Sequence, residues 1–165
     1  MRSIALATVI ALAATGCGKD KTESPSEAGK APVTLSGTVN DHGTKDLGSK
    51  DELEVEQDDF YFNPTFIKAK PGSTVKVELS NEGTVPHTFT IDALHVDQTL
   101  NKGESKDVMV TLPSSGAVAF YCKFHKGQGM QGAFYFTAGD TVGSGGGGGT
   151  TPSGSSDDSG GAYGK

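Results

Sequence analysis

From Glu52 onward the chain breaks into short runs rich in β-branched and aromatic residues, each bounded by Gly, Pro or Asn. The runs are LEVEQ, FYFNPTFIKAK, STVKVELS after Pro71-Gly72, and VPHTFTI after Asn81-Glu82-Gly83. DVMVTL follows Asn101-Lys102-Gly103, GAVAFYC follows Pro113-Ser114-Ser115, and GAFYFTA closes the series. An earlier candidate strand is VTLSGTV, Val33 to Val39, followed by a turn-rich patch, NDHGTKDLGSKD. No stretch sustains a helical period. Short strands at this spacing predict an all-β sandwich or barrel.

Side chains alternate between faces along a strand, so each run assigns an inward set. In STVKVEL that set is Val75, Val77 and Leu79, opposite Thr74, Lys76 and Glu78. In the next run it is Val85, Phe89 and Ile91, and His87 shares their face. Val118, Phe120 and Cys122 form a third set, with Ala117, Ala119 and Tyr121 turned away. In the last run Phe134, Phe136 and Ala138 share a face, and Met130 precedes them in phase. His87, Cys122 and Met130 are thus all expected to point inward. His125, in the loop between the last two strands, can close over them.

Those four residues carry a recognisable chemistry. The stretch YCKFHKGQGM places Cys122, His125 and Met130 in a C-x2-H-x4-M spacing, and His87 supplies a second imidazole. A thiolate, two imidazoles and a weak axial thioether form the ligand set of a blue-copper electron-transfer site. Cys122 suits Cu(I) and gives strong covalency with Cu(II), while neutral imidazoles serve both states. One copper ion held by His87, Cys122, His125 and Met130 is therefore the expected cofactor. C-x2-H alone is a weak signal; the spacing to Met130 and the phase of His87 make it specific.

The flanks read differently from the domain. MRSIALATVIALAATGC carries one basic residue, Arg2, then an apolar run from Ile4 to Ala14, too short for a stable membrane span and suited to a secretory signal. It ends in Ala14-Thr15-Gly16-Cys17, similar to a bacterial lipobox except that Ala14 stands where Leu is usual. Lipidation at Cys17 is the expectation; ordinary cleavage after Ala11-Leu12-Ala13 would instead leave Cys17 a free thiol. The chain has two cysteines, and with Cys17 in the anchor Cys122 has no disulfide partner. A lone thiol in an oxidising compartment is a liability unless something occupies it.

The divisions that follow are 1–16 as a lipoprotein-type signal peptide, 17–31 as a flexible tether, 32–139 as the folded domain and 140–165 as a disordered Gly/Ser-rich tail. The tail either links to cell-wall material or is a solvated end. The expected location is extracytoplasmic: lipid-anchored to the outer face of the cytoplasmic membrane, or in the periplasm or at the cell surface.

At this point the chain resembles the cupredoxin family, and within it the plastocyanin-like small blue-copper proteins. Phe120-Tyr121-Cys122, the C-x2-H-x4-M spacing and the run FNPTFIKAKPGSTVKVELSNEGTVPHTF carry the likeness, over about residues 50–139. It implies a Greek-key β-sandwich with copper at one end, and electron transfer to partner redox proteins through the exposed edge of His125. The chain departs from the plastocyanin pattern at Thr88, where Asn is usual, and at Phe124, where Pro is usual between the Cys and the second His. These departures imply an altered ligand loop with the ligand set untouched. Lys123 and Lys126 add positive charge beside His125, either steering an acidic partner or simply solvated.

A formal net charge of -6 argues against nucleic acid as the main partner. An enzyme reading, as a relative of copper oxidases or nitrite reductases, lacks the histidines that flank the Cys in such sites. Only four histidines exist. A binuclear copper loop needs two cysteines, and zinc is poorly served by Met. His42 and His95 read as structural or exposed, and Met109 faces away from the core, in phase with Asp107 and Thr111. The expectation is a monomeric electron carrier, not an enzyme. The competing function is an extracytoplasmic copper-binding protein for storage, delivery or resistance.

Overall fold

The computed structural model describes residues 30–143. The signal peptide, Cys17, most of the tether and most of the Gly/Ser-rich tail lie outside the described residues. Ten strands form two mixed sheets, with no α-helix among the described residues. The strands are β1 (Thr44–Asp46), β2 (Glu52–Asp58), β3 (Tyr61–Asn63), β4 (Phe66–Lys68) and β5 (Thr74–Asn81). They continue with β6 (His87–Ile91), β7 (Val96–Leu100), β8 (Ser105–Thr111), β9 (Val118–Tyr121) and β10 (Gln131–Tyr135). The larger sheet runs β1-β4-β10-β9-β6-β7 and the smaller β3-β2-β5-β8. Connections from β5 to β6, β7 to β8 and β8 to β9 cross between the sheets, as Greek-key sandwiches require. The all-β sandwich expected from the sequence is the fold observed.

Alternation predicts the core well where one face is wet. In β5, Val75, Val77 and Leu79 are buried while Thr74, Lys76 and Glu78 reach solvent. Cross-strand partners on β8 repeat the pattern, leaving Met109 outward and 62% exposed. Between the sheets, Phe62, Phe89, Phe120 and Phe134 are fully buried. Phe120 is central, with ring centroids 5.1 Å from Phe62, 5.0 Å from Phe89 and 5.6 Å from Phe134. Each such side chain contributes on the order of 1.5–3 kcal/mol by leaving water. The Phe120 ring needs Gly132 opposite it: a Cβ there would lie 2.5 Å from the ring and 2.2 Å from the Thr65 carbonyl oxygen.

The structure departs from the sequence reading in five places. Val33–Val39 forms no strand, because Gly37 turns the chain at φ 86°. The segment instead packs Val33 against Phe66, Ala117, Ala133 and Tyr135 on the outer face of the larger sheet. The Gln131 side-chain amide fastens it by donating to the Ser36 and Thr38 carbonyls. The run FYFNPTFIKAK is two strands on different sheets, separated at Pro64, which has no N–H to give a ladder.

The other three differences are smaller. Polar Val96–Leu100 is the edge strand β7, and the turn-rich patch contains β1, which pairs parallel with β4. At the far end Ala138 is exposed beyond β10, whereas Val142 bridges to Ala117, and the Ala117 N–H donates to the Thr141 carbonyl at 2.9 Å.

Candidate metal centre

Three donor atoms converge at one end of the sandwich. His87 opens β6 after Pro86 and is fully buried. Cys122 follows β9 and is also buried; His125 stands on the loop beyond it and is half-buried. His87 Nδ1 lies 3.1 Å from His125 Nδ1 and 3.9 Å from Cys122 Sγ. His125 Nδ1 lies 3.4 Å from Cys122 Sγ. Among the described residues this is the one group of three or more His, Cys, Asp or Glu side chains close enough to hold a metal ion.

The loop is closed by its own backbone. Cys122 N–H donates to the Met130 carbonyl at 3.0 Å, and Met130 N–H donates to that of His125 at 3.2 Å. His125 and Lys126 N–H groups both turn back onto the Cys122 carbonyl. Met130 is thereby held fully buried, in the same apolar core as Cys122. The loop turns at Gly129, whose φ of 99° suits a residue without a Cβ. A Cβ there would also meet Asn40 Oδ1 at 2.7 Å. Asn40 clamps the site from outside: its side-chain amide donates to the carbonyls of Phe60 and Gln128, and its N–H to that of Gly129. The Phe60 ring it steadies lies 4.3 Å from that of His125.

Electrostatics favour the metal-binding protonation state at Cys122 and His125, whereas His87 is shifted toward its protonated form. Burial pushes the Cys122 thiol up, but the adjoining His87 imidazole and the N–H groups of Thr88, Phe124 and His125 outweigh it. They hold the thiol below the ordinary cysteine value. The Thr88 N–H lies 3.4 Å from Sγ. Burial pulls the His87 imidazole down, yet contacts with Cys122 and Asp59 hold it above its usual value. His125 is lowered, by burial and by His87 alongside.

Thr88 resolves the first departure from the plastocyanin pattern. Its hydroxyl accepts the Lys123 N–H at 2.8 Å, so it pins the ligand loop to β6. The Thr88 and Thr90 hydroxyls are hydrogen-bonded at 3.1 Å, and Thr90 donates to Asp97 at 3.0 Å. Asp97 also pairs with the Lys123 ammonium, completing a ring. Both threonines are buried, although alternation places them on the outward face. Lys126 rests 4.3 Å from the centre of the Tyr121 ring, whose hydroxyl donates to Asp92. The positive field beside His125 is therefore partly cancelled by Asp92 and Asp97. Phe124 projects next to His125 and is 57% exposed.

The remaining histidines lie elsewhere. His42 is stacked on Tyr61 at 3.5 Å, and His95 sits exposed in a left-handed turn after a 3₁₀ turn. Asp59, Asn40 and Phe60 carried no signal in the sequence, since each reaches the site only through tertiary folding.

The family model of the cupredoxin-like domain matches residues 9–134, and the chain belongs to that family. Solved structures similar to it include a dithionite-reduced auracyanin from the photosynthetic bacterium Roseiflexus castenholzii, at 18% identity and a TM-score of 0.48, covering 55% of this chain and 99% of that one. Auracyanin B matches at 22% identity and a TM-score of 0.45, covering 62% of this chain and 95% of its own. The metal-binding domain of the Cu(I)-exporting P-type ATPase CopA of Streptococcus pneumoniae D39 matches at 10% identity and a TM-score of 0.47, covering 61% and 97%. No curated protein matches the chain.

Copper is the metal this family implies, and the donors fit it. The three atoms form a nearly equilateral triangle with edges of 3.1, 3.4 and 3.9 Å. Its centre lies roughly 2 Å from each donor, the length of a first-row metal's bonds to nitrogen and sulfur. One thiolate and two imidazoles in a plane, backed by an apolar shell, is a type 1 donor set.

Proposed function

We propose that this chain is a plastocyanin-like type 1 copper protein that carries single electrons between extracytoplasmic redox partners. The observation that supports the reading most directly is the triangle of His87 Nδ1, His125 Nδ1 and Cys122 Sγ, sealed behind an apolar core. When bound, copper would supply a one-electron couple between Cu(I) and Cu(II). The chain's part would be to hold copper through His87, Cys122 and His125 in an arrangement acceptable to both states, with the buried Met130 thioether as a further, weaker ligand. Burial of His87, Cys122 and Met130 keeps water from the donors. Half-buried His125 is the route outward, with Phe124 and Phe60 beside it.

No substrate turnover is assigned to the site. His42 and His95 stand apart from the donor cluster and from each other's surroundings, so they do not assemble a second copper centre with it. Export and lipid attachment at Cys17 complete the proposal, supported by the apolar run that precedes Gly16-Cys17. The intact mass of the mature chain tests that part: an acylated Cys17 terminus is expected, and an unmodified one overturns it.

The test of the main reading is addition of Cu(II) to the full chain. An intense blue thiolate-to-copper band, a narrow hyperfine EPR pattern and fast reversible redox cycling are expected. Absence of the band overturns the reading. A colourless protein that takes only Cu(I) and yields it to a chelator replaces the carrier with a delivery protein.

A further inference from the structure

Among the described residues, Asp59 is the one carboxylate that touches a donor residue of the site. Its Oδ1 lies 3.0 Å from His87 Nε2, the nitrogen turned away from Cys122 and His125. Its Oδ2 is fixed in turn, accepting the Thr84 N–H at 3.0 Å and the Thr84 hydroxyl. The chain makes room for this contact at Gly83, whose N–H donates to the Asn81 side-chain oxygen at 3.0 Å. A Cβ on Gly83 would lie 2.5 Å from Asp59 Oδ1 and 2.8 Å from His87 Nε2. Two features 24 residues apart, a doubly held carboxylate and a side-chain-free neighbour, thus serve one hydrogen bond.

We propose that Asp59 is a positioning residue: its carboxylate accepts a hydrogen bond from the His87 Nε2–H, so that the proton stays on Nε2 and Nδ1 is left bare toward Cys122 and His125, and it makes that imidazole a stronger donor to the higher oxidation state of copper. A neutral imidazole has one protonated nitrogen, and the hydrogen bond made by one nitrogen decides which electron pair the other presents. An anionic acceptor also raises electron density on the ring, which stabilises Cu(II) more than Cu(I) and lowers the reduction potential. The tautomer half of the inference stands on geometry alone. The tuning half rests on the copper reading above.

The experiment uses the full chain, labelled with 15N, first without metal and then with copper. Imidazole 15N shifts at about pH 9, above the ordinary histidine titration range, are expected to show His87 protonated at Nε2 and bare at Nδ1. Asp59→Asn, which keeps volume and removes charge, should weaken that tautomer bias. Gly83→Ala, whose methyl would press on both the Asp59 carboxylate and His87 Nε2, should break the same hydrogen bond. In both, Cu(II) affinity measured by chelator competition should fall about 10–100-fold, with Cu(I) affinity changing much less. The potential then rises by about 59 mV for each tenfold change in the affinity ratio.

A proton found on Nδ1 in the unsubstituted chain overturns the proposal. So does an Asp59→Asn protein with unchanged tautomer and unchanged affinity ratio. If one variant fails to fold, the other carries the comparison, and the shifts of the unsubstituted chain need neither. Failure of the chain to form a blue site would sink the copper reading, while the nitrogen shifts would still decide the tautomer.

Discussion

The two histidines of the site are held in opposite ways. His87 belongs to a strand flanked on both sides, is fully buried, and has its outer nitrogen committed to Asp59. His125 stands on a ten-residue stretch that closes on itself, is half-buried, and leans on the Phe60 ring rather than on a carboxylate. A strand residue inherits its position from the sheet, whereas a loop residue depends on every bond that shapes the loop. The division suits the proposed carrier, whose inner donors would stay fixed while its outer edge would meet a partner.

Removing each histidine breaks the comparison most severely. His87→Gly should abolish the blue band, and added imidazole should not restore it, because no route leads to a fully buried position. His125→Gly should also lose the band but regain it with imidazole in the optical titration, since that edge faces outward. Equal rescue of both, or of neither, would mean that the two sides do not differ in access. Gly132→Ala comes next, since it drives a methyl into the Phe120 ring and the Thr65 carbonyl that support the strand side. A loss of about 2–3 kcal/mol in urea unfolding is expected.

Thr88→Val is a finer probe of what ties loop to strand. It leaves the Lys123 N–H without its acceptor and should cost about 1 kcal/mol in the same unfolding assay. If stability is unchanged, the ring through Thr90 and Asp97 is decorative. Lys123→Ala removes only the solvent-facing ion pair with Asp97, and its cost should stay below about 0.5 kcal/mol, shrinking further in salt.

The strand side of the site was the more legible in sequence. His87, Cys122 and Met130 share phase with Val75-type alternation, and a period of two survives folding wherever one face is wet. It still places the inward residues, such as His87, but misassigns the outward ones where both faces are covered, as in β6 and β10, whose five residues are all buried. The supports were hidden for a different reason. Asp59 lies 28 positions before His87, and Asn40 lies 88 before Gln128, so neither has a local pattern. Thr88 read as a departure because its partner is a backbone N–H, which any residue at 123 supplies. Val33–Val39 read as a strand because its apolar residues alternate, yet one glycine at positive φ was enough to end the ladder.

The packing of that first segment sets where the folding unit begins. The motifs legible in the sequence begin only near residue 50, yet Val33 covers Phe66, Ala133 and Tyr135, and Asn40 grips the ligand loop. Anyone trimming the chain to the recognisable part would uncover an apolar strip on the larger sheet and cut the brace of the site with one stroke. Such a shortened domain should self-associate before it loses its sheets. The sensible place to cut lies ahead of Pro32, whose carbonyl accepts the Gly139 N–H and so joins the two ends of the domain.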